Sequence, residues 1–69
     1  MKLVDEKTGR ELKVGDKVVT FRGEKHILTG MREPHHEGST GRVYLKQGKF
    51  HGEYFPGVIG AKWRESNEL

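Results

Sequence analysis

Glycine spacing constrains this chain more than any other feature of its sequence. Ten Gly and two Pro interrupt 69 residues, and between the breaks lie short apolar and polar alternations of strand period. No apolar pattern of helical period runs long enough to build a helix of consequence. Gly reaches positive φ without steric cost, so this frequency fits many tight turns joining short strands. The predicted class is all-β. A chain this short forms one domain at most and buries only about 60% of the surface that it exposes when unfolded. No Cys is present, which excludes a disulfide framework, a thiolate zinc site and a thiol nucleophile.

The strands are read in chain order. Lys2 to Asp5 is a first strand, Glu6 to Gly9 a turn, and Arg10 to Leu12 a return arm that lets Leu3 and Leu12 meet. Gly15-Asp16 redirects the chain into a strand from Lys17 to Arg22, with Val19 and Phe21 expected on the core face. Gly23-Glu24 is the expected two-residue hairpin turn, of the type that puts Gly first. In the partner strand, Lys25 to Arg32, Gly30 marks a bulge or sharp bend. Glu33 to Gly41 contains no apolar residue and reads as a long surface loop.

Arg42 to Lys46 is the cleanest strand: Val43 and Leu45 share one face, while Arg42, Tyr44 and Lys46 project from the other. Gln47-Gly48-Lys49 turns the chain into a strand from Phe50 to Phe55. Pro56 then stops pairing, and Pro56 to Gly60 suits a single 3-10 turn before a last strand, Ala61 to Glu65, that carries Trp63. Five or six short antiparallel strands with one 3-10 turn predict a small closed barrel over residues 1–65, with 66–69 a frayed tail. The expected core is Leu3, Leu12, Val14, Val19, Phe21, Ile27, Val43, Leu45, Phe55, Ile59 and Trp63.

Two segments carry a resemblance. Val14-Gly15-Asp16-Lys17-Val18, entering a strand, and Tyr54-Phe55-Pro56-Gly57-Val58-Ile59, an aromatic-Pro turn before the final strand, are similar to the corresponding parts of SH3-like barrels. The segments 21–24, 32–36 and 38–44 also resemble small phage- and prophage-encoded proteins. These likenesses imply an SH3-like barrel and an accessory product whose work is binding; no activity transfers with them. SH3 peptide binders select Pro-rich ligands with an acidic loop, whereas the loop here holds His35 and His36. SH3-like modules of ribosomal and transcription-factor type contact RNA through a basic face, which suits this charge better.

Net charge is +3, from 13 Lys and Arg against 10 Asp and Glu. From Leu12 to Phe50, eight cations face four acids, an excess of +4, so a basic face belongs to the middle strands. The function expected is a non-enzymatic binding module that engages a protein partner through the 33–46 loop and strand. The alternative is a weak RNA or single-stranded DNA binder on the basic strand face. The candidate binding residues are Arg22, Lys25, Arg32, His35, His36, Arg42, Tyr44 and Lys46. Tyr54, Phe55 and Trp63 form a further candidate groove for a protein. No catalytic residue, cofactor or metal is assigned: His35 and His36 are adjacent and point apart in extended backbone. Ser39 and Thr40 share one loop with them, which cannot supply the fixed geometry of a triad. No apolar run approaches the about 20 residues of a membrane span, so no membrane partner is assigned and the expected setting is cytoplasmic.

Overall fold

The computed structural model describes residues 1–34 and 40–65. It is all-β apart from one 3-10 turn. The strands are β1 (Lys2–Asp5), β2 (Lys17–Val19), β3 (Lys25–Arg32), β4 (Arg42–Gln47), β5 (Phe50–Tyr54) and, after the 3-10 turn Pro56–Ile59, β6 (Ala61–Arg64). They pair antiparallel in two sheets: β1 with β6, and β2-β3-β4-β5 in that order. The expected closed cylinder is therefore not what forms. β1 is flanked by β6 on one side and by the Arg10 to Leu12 arm on the other, so it has no edge left for the four-stranded sheet, and no continuous ladder joins the two sheets. Glu6 N–H donates to Gly60 O (2.8 Å), one step beyond the β1-β6 register, while Phe21 N–H, just past β2, donates to Val58 O (2.9 Å) in the 3-10 turn and links the two sheets.

Turn chemistry explains the connections. After β1 the Asp5 carboxylate accepts the N–H groups of Lys7 (2.8 Å) and Thr8 (3.1 Å), which holds its carboxyl below the usual range. The chain returns as the expected arm: Asp5 N–H donates to Arg10 O, and Leu12 N–H donates to Leu3 O. Asp16 N–H then closes on Lys13 O across a turn whose third residue, Gly15, has φ 100°, a value that only Gly adopts without strain. Val14 stands at the second position of that turn, which leaves it 62% exposed and outside the core.

The β2-β3 connection differs from expectation. Gly23 N–H donates to Thr20 O, Thr20 N–H donates to Glu24 O, and Gly23 has φ 82°. This is a three-residue loop, Phe21 to Gly23, in place of a two-residue turn at Gly23-Glu24. Phe21 thus leaves the strand and is 77% exposed. The two-residue turn with Gly first occurs instead between β4 and β5, where Gln47 pairs with Phe50 and Gly48 has φ 59°.

The core lies between the sheets. Leu3, Leu12, Val18, Leu28, Val43, Leu45, Ile59 and Ala61 form its buried cluster, with Met31, Tyr54 and Trp63 packed against it. Val18 pairs with His26, and both point inward, so Val19 points outward. Likewise Leu28, opposite Leu45, takes the inward place expected for Ile27, which is half-buried on the outside. The expected bulge is present: Leu28 pairs with Leu45 and Gly30 with Tyr44, leaving Thr29 as the additional residue. That insertion shifts the alternation, so Met31 returns to the inner face opposite Val43. Among the described residues no helix is long and apolar enough to cross a membrane.

Candidate functional site

Pairing register builds the outer face of the four-stranded sheet. One row crosses every strand: Lys17 opposite Ile27, Ile27 opposite Lys46, and Lys46 opposite His51. On one side of it Val19 pairs with Lys25. On the other side Gly30 pairs with Tyr44 and Tyr44 with Glu53, and beyond these Arg32 pairs with Arg42. Along β2 to β4 these residues alternate with inward-facing ones, and pairing carries the same face onto His51 and Glu53 of β5, so their side chains share the solvent face.

The charge on this face is one-sided. Among the described residues, Lys17, Lys25, Arg32, Arg42 and Lys46 stand against Glu53 alone, an excess of +4. The eight other cations and nine other acids of the chain sum to −1. In a chain of net +3, the described part of this one surface thus carries an excess of +4, which concentrates a field that the net charge understates.

Its aromatic and apolar members are held in place. The Tyr44 ring lies across Gly30, with Cδ2 3.2 Å from where a Gly30 Cβ would stand. This cross-strand packing leaves the Tyr half-buried, and Thr29 Oγ1 fixes the same strand by donating to Tyr44 O (3.1 Å). The Arg42 guanidinium carbon sits 4.3 Å from the centroid of the Phe55 ring, and its Nη1 donates to Gly41 O (2.7 Å). Arg42 is thus a positioned cation, whereas Lys17, Lys25, Arg32 and Lys46 are exposed.

Of the residues singled out from sequence, Lys25, Arg32, Arg42, Tyr44 and Lys46 come together on this surface. Arg22 does not: it lies in the hairpin loop with its guanidinium carbon 5.8 Å from the Phe21 centroid. His35 and His36 lie outside the described residues. Lys17, Ile27 and His51 were missed, because they belong to the face only through their pairing partners. No local pattern marks them; the number of residues in each hairpin turn is the signal that sets their alignment.

A shallow groove opens beside this face. It has a volume of about 370 Å³ and is lined chiefly by Phe55, Pro56, Lys62 and Trp63. Phe55 is 55% exposed and so outside the core where it was expected, while Trp63 is half-buried and donates its indole N–H to Thr40 O (2.7 Å). Gly41 makes that bond geometrically possible. It has φ 67°, and a Cβ there would meet Arg32 O at 2.5 Å and Trp63 Nε1 at 2.8 Å. Tyr54, also expected at the groove, turns to the inner face and meets His26 edge-on at 5.9 Å between centroids.

His26 is 7% exposed, and neither ring nitrogen has a hydrogen-bond partner. It points inward while His51 points outward, so the two cannot converge on one metal ion. Among the described residues, no group of three or more His, Cys, Asp and Glu side chains is arranged to hold one. Comparison with known proteins finds no matching family model, no matching curated protein and no matching solved structure.

Proposed function

We propose that this chain is a non-enzymatic binding module whose ligand is a single-stranded nucleic acid, held on the outer face of the β2-β3-β4-β5 sheet. The observation that carries this reading is the segregation of charge, five cations against one acid on that face. Lys17 and Lys46 beside Ile27, and Arg42 and Lys46 on the strand of Tyr44, neutralise backbone phosphates, while Ile27 and Tyr44 offer surface for bases to stack on. A sheet face is broad and shallow, which suits an extended strand better than a small molecule. The order of strands with a 3-10 turn before the last one accords with an SH3-like arrangement. The resemblance of segments 21–24, 32–36 and 38–44 adds the setting proposed for it, an accessory protein of phage or prophage type working in the cytoplasm.

A protein partner is the second reading, and the groove at Phe55, Pro56 and Trp63 favours it, because aromatic surface beside a cation is a common interface anchor. Salt dependence separates the two. Titration of a labelled single-stranded oligonucleotide, followed by fluorescence anisotropy, is expected to show affinity falling steeply as salt rises, with a log-log slope of about −0.7 per phosphate contacted. Lys46→Glu is expected to weaken binding to every sequence alike and to flatten the slope by about one contact. No binding at low salt would remove the nucleic-acid reading.

A further inference from the structure

The four-stranded sheet has two edges, and they are protected unequally. β2 is only three residues long and carries Lys17, both of which discourage pairing with another chain. β5 is five residues, Phe50-His51-Gly52-Glu53-Tyr54, with no Lys or Pro, and it pairs with β4 alone among the described strands. Its first residue, Phe50, is 79% exposed, the largest value among the exposed apolar side chains of the described residues. A two-residue turn makes its flanking pair, Gln47 and Phe50, the hydrogen-bonded one, so alternate residues turn the other way. The backbone groups of His51 and Glu53 therefore face the free edge, and none of the described turn, loop or cap backbone bonds reaches them.

We infer that β5 pairs antiparallel with β5 of a second copy of this chain, about a two-fold axis at Gly52. The strand is self-complementary in that register and in no neighbouring one. His51 lies opposite Glu53 of the second copy, and each pair exchanges both backbone bonds from the groups already turned outward. The same alignment faces an imidazole with a carboxylate on the outer surface, twice by symmetry. On the inner surface Phe50 lies opposite Tyr54 of the second copy, in a pair that brings Cα atoms to about 4.5 Å and favours aromatic contact. At the axis Gly52 meets Gly52. No side chain there obstructs the approach, and Tyr54 already fills the space above Gly52, with its ring and hydroxyl 2.6 to 2.8 Å from where a Cβ would stand. A register shifted by two residues would set Glu53 against Glu53 or His51 against His51 and leave the aromatics unpaired. The dimer joins two four-stranded sheets edge to edge with both basic faces on the same side, and it stands independently of what those faces bind.

Sedimentation equilibrium of the chain without nucleic acid tests this. The expected weight-average mass rises with concentration towards twice the 7.9 kDa of the monomer. His51→Pro removes an outward N–H without touching the β4 ladder and is expected to give the monomer mass with the circular dichroism unchanged. If that variant does not fold, His51→Glu decides: carboxylates then face each other and dimerisation weakens at least tenfold, and Glu53→Lys added to it restores pairing. A wild-type chain that stays monomeric up to its solubility limit overturns the inference. So does a dimer that survives both His51 variants, or one that the second substitution fails to restore.

Discussion

The two faces of the β2-β3-β4-β5 sheet have the same backbone, yet they are built on opposite rules. The inner face carries Val18, Leu28, Val43 and Leu45, of which Leu28 and Val43 are fully excluded from solvent. Stability in so small a domain rests on these few side chains, each worth about 1.5–3 kcal/mol by burial. The outer face carries Lys17, Lys25, Arg32 and Lys46, which contribute little to folding and are free to meet a ligand. The difference teaches where substitutions should act: one face decides whether the chain folds, the other what it touches.

The sharpest way to break that division is at Leu28. Leu28→Ala is expected to cost about 2–5 kcal/mol, because the cavity opens between two sheets with little else to collapse into it. That is a large share of the stability of a domain of this size. Chemical denaturation checks it, and a loss below about 1 kcal/mol would mean that the inner face is not the core.

His26 offers a smaller and opposite effect. It lies on the inner face, but its ring nitrogens are buried without partners, and an unpartnered buried polar group costs about 1–3 kcal/mol. His26→Leu is expected to stabilise by about 1 kcal/mol, raising Tm by roughly 4–8 °C in a domain this small. A lower Tm would show that its edge-on contact with Tyr54 outweighs the unpaired nitrogens.

Much of the fold was legible in the sequence, for a definite reason. Where one apolar residue stands between polar ones, as Val43 and Leu45 do among Arg42, Tyr44 and Lys46, the face of each is unambiguous, and β4 stands as read but for Gln47 added at its end. Adjacent apolar pairs do not have that property. Val18-Val19 and Ile27-Leu28 each offer either member to the core, and the choice is made by pairing with neighbouring strands. Phe21 was misplaced because the loop it belongs to is longer by one residue than the Gly-first turn expected there. Closure of the sheet into a cylinder is not a local property at all: it depends on which edges stay open, and both sides of β1 are taken by β6 and the Arg10 to Leu12 arm.

The candidate site was legible to the same degree. The Arg42, Tyr44 and Lys46 face follows from one strand's alternation, and Lys25 joins it through the β2-β3 hairpin. The row Lys17, Ile27, Lys46, His51 needs four strands in register, which no single segment encodes. Arg22 was drawn in by its nearness in sequence and falls outside because it sits on the turn.

The most direct test of the account is a map of backbone amide shifts as a single-stranded oligonucleotide is added at low salt. Perturbation is expected at Lys17, Lys25, Ile27, Tyr44, Lys46 and His51, and little at Leu12, Ile59 or Ala61 across the core, with all of it reversed by added salt. Shifts centred instead on Phe55, Gly57 and Trp63, or spread without regard to face, would contradict it.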